Sequence, residues 1–334
     1  MHQPRYTVSL TAADVGERVM LRYALPEGDE PARSDPDEPT LTDVVGDLVA
    51  WSRGVLRIST RTGVVDVAES AVVAAKRVPP RRVARAADAS VAEVQRRSAL
   101  SWQALETERL GGWRLRAGGG FTGRANSVLP LGEPGLPLEA ALDYVERWYG
   151  DRGLVPRFQL PQPDAAPLSA ALAERGWNLV DSADVMVGEV SAEPAQGNEQ
   201  RWDLPAVVVA DAPSPAWLGA YHYRGGRLPK AGYAVLTHHR DPGFASVEQD
   251  GRVVAIARGA VDDGWLGIAA VEVDPAHRRR GLGRHVTRGL LQWGQARGAR
   301  HAHLQVDVNN QAGKALYTGL GFTFHHRYDY RTQP

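Results

Sequence analysis

A strand, an arginine- and glycine-rich turn and a helix follow one another between positions 267 and 297, and this segment constrains the fold most. Residues 267–273 are predicted to be a strand that ends at Asp274-Pro275. The turn 278–284 reads Arg-Arg-Arg-Gly-Leu-Gly-Arg, and the helix after it carries apolar residues at helical spacing. A strand that runs straight into a helix, in a chain where strands and helices keep alternating, indicates an α/β or α+β sheet fold.

The turn has the chemistry of an anion site. Glycine lets the backbone approach a ligand closely, and the first amides of a helix have no partner within it. A pyrophosphate placed there gains these amide hydrogen bonds and the helix dipole. Residues 275–300 contain seven arginines and no acid, which favours an anionic ligand over an ordinary solvated helix face. The turn lacks the Gly-Lys-Ser/Thr of a P-loop, and Val286 replaces the third glycine of a dinucleotide-binding fingerprint.

Two sequence blocks make the segment resemble the GNAT superfamily of acetyltransferases. Its coenzyme A loop follows Arg/Gln-x-x-Gly-x-Gly/Ala, and Arg278, Gly281 and Gly283 occupy those positions. Its second block follows at the expected distance, with Gly313 in place of an alanine. The residues that match it are Asn310, Leu316, Tyr317, Gly321 and Phe322. The resemblance covers about residues 203–332 and implies a GNAT fold for this part of the chain.

The resemblance implies a role for each matching residue. The amides of 279–284 would hold the pyrophosphate of acetyl-CoA, and the backbone of the preceding strand would pair with the pantetheine arm. The expected cosubstrate-binding residues are Val271, Val273, Arg278, Arg279, Arg280, Gly281, Leu282, Gly283, Arg284, Asn310 and Tyr317. Tyr317 would also be the general acid that protonates the departing thiolate.

The general base is harder to assign than the acid. An ammonium group must lose a proton before it attacks a thioester, and Glu272 is the nearest carboxylate on the strand. We take Glu272 as the candidate base or substrate anchor; a structural role is the alternative. His301, His303 and Asp307 are weaker candidates for a proton relay. The pairs His238-His239 and His325-His326 lack a third ligand at metal spacing, so we expect no metal site.

The first 80 residues differ from the rest in composition and pattern. Short alternating segments separated by glycine turns predict a small β-barrel over 1–80. Within it, residues 26–47 hold eight acids, one base and four prolines, which predicts a mobile loop. Residues 81–97 are predicted to be a basic linker that starts after Pro79-Pro80.

The middle segment, 98–190, has a GNAT-like order of helices and strands, and 171–177 echoes 315–322. Its equivalent of the phosphate turn, 129–135, has no arginine and carries an acid. We therefore predict a degenerate N-terminal GNAT half over 98–190, with a separate fold as the alternative, and the active domain over 201–334. In that domain 231–238, 245–249 and 252–261 are predicted strands, the last two joined by a hairpin at Asp250-Gly251. The whole layout resembles an actinobacterial acetyltransferase family with an SH3-like N-terminal unit.

Composition bounds the remaining classes of protein. Lys+Arg 39 balances Asp+Glu 39, whereas general nucleic-acid binders are usually basic. There are no cysteines, which excludes disulfide scaffolds and thiolate chemistry. No apolar run is long enough to span a membrane. We expect a soluble, cytoplasmic protein without a membrane partner.

We therefore predict an acetyl-CoA-dependent N-acetyltransferase that acts on a primary amine of a small molecule, peptide or protein. One alternative is a catalytically weak coenzyme-A-binding scaffold whose barrel docks a protein partner. Another is a tandem enzyme similar to mycothiol synthase. This similarity concerns the fold and not the substrate. Nucleic-acid binding through residues 76–97 is disfavoured, because no aromatic residues are interleaved with the bases.

Overall fold

The structure is a computed structural model that describes residues 9–25, 41–60, 63–79, 85–190, 204–222, 226 and 228–334. Within these residues the helices are α1 (Val91–Ser101), α2 (Leu138–Gly150), α3 (Ala166–Glu174), α4 (Pro215–Ala220), α5 (Lys230–Thr237), α6 (Leu282–Ala296) and α7 (Gln311–Thr318). The strands are β1 (Arg18–Ala24), β2 (Leu41–Ser52), β3 (Val55–Thr60), β4 (Gly63–Ala68), β5 (Val72–Arg77), β6 (Glu106–Leu110), β7 (Trp113–Ala117), β8 (Leu129–Pro130), β9 (Arg157–Pro161), β10 (Asn178–Glu189), β11 (Val207–Ala210), β12 (Pro242–Gln249), β13 (Arg252–Asp262), β14 (Trp265–Val273), β15 (His301–Asp307) and β16 (Thr323–Thr332). Among the described residues, no helix combines the length and apolar character needed to cross a bilayer.

The chain forms two compact units. The first contains Met1–Arg82, Thr107–Leu115 and Val128–Gly153. Its main sheet is antiparallel with the order β4-β3-β2-β1-β5, around an apolar core that includes Leu21, Leu48 and Ile58. These three side chains come from alternating strand positions, and the residues between them are more exposed and mix charged with apolar side chains, such as Arg22 and Val45.

One predicted feature of the first unit is wrong in part. The acidic stretch 26–47 was expected to be a loop, but 41–47 belongs to β2. Asp43 pairs with Arg22 on β1, with Nε and Oδ1 2.7 Å apart, so opposite charges across the strands offset its poor strand propensity. Residues 26–40 of that stretch lie outside the described part of the chain.

The second compact unit contains Val83–Glu106, Arg116–Ser127 and Leu154–Pro334. Its sheet has the order β11-β12-β13-β14-β15-β10-β16-β9. All neighbouring strands are antiparallel except β14 and β15, which are parallel. Helix α6 crosses between these two strands and packs on the sheet through Val286 and Leu290, which lie in the largest apolar cluster.

Strand β10 from the middle segment lies between β15 and β16, in the interior of this sheet. Its residues Val185, Met186 and Val187 are buried on both faces of the sheet: Met186 joins one apolar cluster, and its two neighbours join another. A strand that is apolar on both faces requires such an interior position. The middle segment 98–190 is thus shared between the two compact units, and its strands β9 and β10 complete the sheet of the second.

Two local predictions for the second unit have opposite outcomes. The hairpin at Asp250-Gly251 is confirmed, because β12 and β13 pair up to Gln249 and Arg252 and both turn residues have positive φ. The predicted strand over 231–238 is wrong, because helix α5 occupies this stretch. Its buried residues Gly232, Val235 and Leu236 recur at helical spacing, and this periodicity outweighs the strand propensity of its tyrosine, valine and threonine.

Candidate active site

Strands β14 and β15 separate at the carboxyl end of β14. Their pairing covers residues 265–268 of β14 and stops there. A β-bulge marks the point: Ala270 has φ of 52°, and it lies with Val271 opposite the single residue Ala257 on β13. A bulge bends a strand away from its neighbour, so an opening forms between 269–273 of β14 and 305–307 of β15. The backbone groups of β14 that face this opening are free to pair with an extended ligand.

The arginine-rich turn lies directly after the opened strand. Arg279 has φ of 63° and Gly281, the N-cap residue of α6, has φ of 84°. A chain that alternates into the left-handed region turns successive amides toward one side and forms an anion-binding concavity. The side chains of Arg278, Arg279 and Arg280 are exposed around it. The amides that open α6 and these charges provide what a pyrophosphate requires.

Gly283 permits the close contact between α6 and α7. A Cβ atom at this position would lie 2.8 Å from Leu316 Cδ1, so a larger residue would require the Leu316 side chain to shift. The second glycine of the turn therefore has a packing role, in addition to whatever it does for a ligand.

Helix α7 carries Tyr317 at the edge of the largest apolar cluster. The ring packs edge-on against Phe322, with centroids 6.1 Å apart, and burial raises the pKa of Tyr317 to about 12. The phenol therefore keeps its proton throughout the neutral pH range. Asn310 is the N-cap of the same helix, and its Oδ1 accepts a hydrogen bond from the Gly313 amide at 2.9 Å. A Cβ at Gly313 would lie 2.7 Å from Asn310 Nδ2, so in this conformation an alanine would require the Asn310 side chain to shift.

An ion-pair cluster around the buried Asp184 fixes α7 to β10. Lys314 lies one turn before Tyr317, and its Nζ is 2.5 Å from Asp184 Oδ2 and 2.7 Å from the Val308 carbonyl. Arg327 Nε donates to the other carboxylate oxygen of Asp184 at 2.8 Å. Burial alone would raise the pKa of Asp184, but these hydrogen bonds outweigh it and hold the pKa below its usual value.

Glu272 lies just beyond the bulge and is held by the segment that follows α4. Both carboxylate oxygens accept from the His222 backbone N–H, at 3.0 and 3.1 Å, and the His222 ring lies 3.4 Å away. Burial raises the pKa of Glu272, although the contacts with His222 oppose the rise. A carboxyl group whose pKa lies nearer neutrality is better suited to accept a proton during catalysis.

The sequence comparisons agree with this geometry. Residues 88–331 match the family described as "Probable histone acetyltransferase Rv0428c C-terminal", and residues 13–76 match its N-terminal Sm-like domain. The chain belongs to the Rv0428c family. The relative of that name from Mycobacterium tuberculosis is 32% identical over 325 residues, which cover 95% of this chain and 94% of that protein.

Other N-acetyltransferases share its sequence or fold. The "Uncharacterized N-acetyltransferase YobR" of Bacillus subtilis is 28% identical over 255 residues, 72% of this chain and 98% of that protein. A GCN5-related N-acetyltransferase from Kribbella flavida matches with a TM-score of 0.52 and 19% identity, over 72% of this chain and 93% of that one. A tandem GNAT protein of clavulanic acid biosynthesis also shares the fold, with a TM-score of 0.51 and 14% identity over 76% of this chain and 90% of that one.

These matches confirm the predicted fold class and enzyme class. The Rv0428c-family chain is an N-acetyltransferase of mixed α/β fold with GNAT neighbours, tandem members included. The predicted SH3-like barrel corresponds to the Sm-like domain of the family. The division into a barrel, a linker over 81–97, a degenerate half over 98–190 and an active domain over 201–334 stays a prediction.

Two of the histidines singled out in this Rv0428c-family sequence pair with carboxylates. His301 Nδ1 is 2.7 Å from Glu189 Oε2, and His239 Nε2 is 2.6 Å from Asp262 Oδ2. His303 is buried in the closed part of the β14–β15 pair, before the opening. Asp307 accepts from the Asn309 amide and so closes a turn. In the described part of the chain, no group of three or more His, Cys, Asp or Glu residues is placed to hold a metal ion.

Four residues near the site were not predicted from the sequence. His222, Asp184 and Lys314 carry no local signal, because their roles depend on contacts between distant segments. Arg258 did carry a signal. It is a lone arginine in the apolar run 253–261, and such a charge in the middle of a buried strand requires an explanation.

Proposed function

We propose that this chain transfers the acetyl group of acetyl-CoA to a primary amine of a small molecule, a peptide or a protein. The observation that carries the proposal is the opening at the bulge of β14, which leads to the arginine-rich N-terminus of α6. An extended thiol-bearing arm fits the opening and an anionic group fits the helix end, and coenzyme A combines both in one molecule.

The binding roles follow from this placement. The amides of 279–284 would hold the pyrophosphate, and Arg278, Arg279, Arg280 and Arg284 would supply positive charge. The free backbone edge at Val271 and Val273 would pair with the pantetheine arm. Asn310 keeps its amide N–H groups for the arm, because only its oxygen is used in capping α7.

The chemical roles concern two proton transfers. The amine attacks the thioester carbonyl, the C–N bond forms, and the C–S bond of the tetrahedral intermediate then breaks. Glu272 would take the proton that the attacking amine loses, and Tyr317 would donate a proton to the departing thiolate. A raised pKa suits Glu272 as the proton acceptor, and a phenol that stays protonated suits Tyr317 as the proton donor.

Calorimetric titration with acetyl-CoA tests the binding half of this proposal. We expect micromolar affinity or better, about −8 kcal/mol. Gly281→Glu should abolish binding, because it adds a side chain and a negative charge at a left-handed N-cap. Gly150→Glu is the matched control: that glycine is exposed, has no positive φ and has open space around it. Unchanged affinity in Gly281→Glu would remove the turn from the site.

Release of free thiol in the presence of an amine panel tests the transfer itself. Turnover with any primary amine supports the acetyltransferase. Tight binding of acetyl-CoA without turnover on any amine would instead support the scaffold alternative. The predicted cytoplasmic location and a protein partner for the Sm-like domain stay predictions.

A further inference from the structure

Arg258 is a fully buried cation that its surroundings satisfy only in part. It lies on β13 with 1% of its surface exposed. Its Nε donates to the Leu236 carbonyl at 2.7 Å, and its Nη1 donates to the Ser101 carbonyl at 2.9 Å. Both carbonyls lie in the last turns of helices, where the helix dipole favours a positive charge. Its Nη2 is buried without a hydrogen-bond partner.

No described carboxylate forms an ion pair with Arg258. Asp262 acts on it electrostatically, but the carboxylate of Asp262 is already hydrogen bonded to His239. Burial and, to a smaller extent, the positive charge of Arg124 lower the pKa of Arg258 to about 9. A buried guanidinium with one unpaired amino group beside a second cation is a costly arrangement unless an anion joins it.

The position of Arg258 links it to the reaction centre. In the β13–β14 ladder it lies opposite Ala269, one residue before the bulge. Its guanidinium lies 5.1 Å from the ring centroid of Trp102, and Trp102 belongs to an apolar cluster against which the partly exposed Ala269 and Ala270 pack. The arginine therefore lies beneath the point where the two strands separate.

Arg124 brings the second cation to the other strand of the opening. It lies in the glycine-rich loop 118–126, where the Asn126 amide accepts from two loop amides and donates to two loop carbonyls, all at 2.7–2.9 Å. This loop holds the Arg124 guanidinium 4.5 Å from the Trp102 ring centroid and hydrogen bonded to Gln305. Gln305 is the first residue of β15 beyond the pairing with β14.

We propose that Arg258 and Arg124 recognise an anionic group on the acceptor, so that the acetylated molecule is an amine that also carries a carboxylate. The inference rests on the proposed acetyl transfer and narrows its substrate class. One unpaired guanidinium amino group, in a buried place beside a second positive charge, matches a small monoanion. The ammonium of the acceptor would then lie toward Glu272, on the far side of the same bulge.

Substrate pairs that differ only in the carboxylate test the proposal. We would compare kcat/KM for phenylalanine and phenethylamine, lysine and cadaverine, and serine and ethanolamine by thiol release. The wild-type chain should favour the acid of at least one pair by about 10- to 100-fold, the usual value of a charge-assisted hydrogen bond. If the amines are turned over and the acid is preferred in none of the three pairs, the proposal is wrong.

The variants Arg258→Met and Arg124→Gln should reduce that preference at least tenfold and leave acetyl-CoA affinity unchanged. Arg175→Met is the control, since Arg175 is an exposed arginine that also donates to a helix carbonyl. Arg258→Met removes two buried hydrogen bonds. If this variant does not fold, the preference for the acid is measured in Arg258→Lys and Arg124→Gln instead. Full preference in the folded variants would contradict the proposal.

A binding measurement separates this proposal from the acetyltransferase proposal. The melting temperature of the free protein should rise with millimolar phenylalanine, lysine or serine, and the rise should be lost in Arg258→Lys and Arg124→Gln. The other outcome is that no amine is acetylated, but the melting temperature rises in the wild type and not in the two variants. The anion site is then supported and the acetyl-transfer proposal fails. No rise with any amino acid, together with no acetylation, would overturn the anion site.

Discussion

Two buried histidines make the stability of the second compact unit depend on pH. Burial, aided by neighbouring arginines at His303 and by neighbouring histidines at His326, lowers the pKa of both groups to about 3. Both side chains are almost fully buried, so each enters the folded state neutral.

The hydrogen bonds around His326 require that neutral form. Gln95 Oε1 accepts from Gln159 at 2.9 Å, so the Gln95 amide N–H donates to His326 Nε2 at 2.7 Å. The proton of His326 is then on Nδ1, which donates to His325 Nδ1 at 2.7 Å, and His325 Nε2 donates to the Ala89 carbonyl at 2.9 Å. A second proton on His326 would place two donors face to face.

The size of the effect follows from proton linkage. An unfolded histidine binds a proton below about pH 6.5, whereas the folded pKa is about 3. The folded pKa is depressed, so the unfolded state binds more protons between these values and stability falls as the pH falls. From pH 7.5 to pH 5 the loss is about 2 kcal/mol for each histidine and about 4 kcal/mol for both. That is a large part of a typical stability of about 5–15 kcal/mol.

Urea denaturation at pH 7.5 and pH 5 measures this loss. His326→Asn and His303→Asn each lower stability at pH 7.5, but each should also reduce the pH-dependent loss by about 2 kcal/mol. The comparison with wild type removes the contribution of the carboxylates, which is common to all variants. If the asparagine variants lose as much stability as the wild type between the two pH values, the neutral buried histidines are not its source.

Three further predictions concern the active site. Tyr317→Phe should lower kcat while acetyl-CoA affinity stays within a few-fold; full activity would remove Tyr317 from the mechanism. Glu272→Gln should abolish the acidic limb of the kcat/KM profile, which in wild type should lie above the usual range of a glutamate because burial raises its pKa; an unchanged limb would exclude Glu272 as the base. Asp184→Asn should destabilise the protein by roughly 3 kcal/mol and lower kcat, because Lys314 loses its buried partner and α7 its anchor; equal stability and kcat in urea and thiol-release assays would refute this.

The arginine-rich turn and the helix after it could be predicted from the sequence because their determinants are local. A positive φ at Gly281, the amphipathic stripe of α6 and the cap of α7 at Asn310 each depend on residues within a few positions. The hairpin at Asp250-Gly251 is of the same kind. Local determinants of this kind produce a sequence motif, and the motif can be recognised without knowing the rest of the fold.

The opening itself could not be predicted in this way. The bulge contains Ala270, a non-glycine residue with positive φ, and no residue type within 267–273 indicates a bulge there. The same holds for the contacts of Glu272 with His222 and of Arg258 with two helix ends, which join segments far apart in the chain. The strand predicted over 231–238 is wrong for a different reason, because the helical spacing of its buried residues outweighs their strand preferences.

Strand β10 connects the middle segment to the candidate site of the C-terminal one. It supplies the hydrogen-bond partner of β15 on the side away from β14, and so it holds β15 in place where the two strands separate. It also carries Asp184, which fixes the helix of Tyr317 through Lys314. Without β10, β15 and β16 would each lose a neighbour and α7 its buried anchor. The middle segment therefore completes the sheet of the second compact unit and anchors α7, and residues 201–334 alone lack strands β9 and β10 of that sheet.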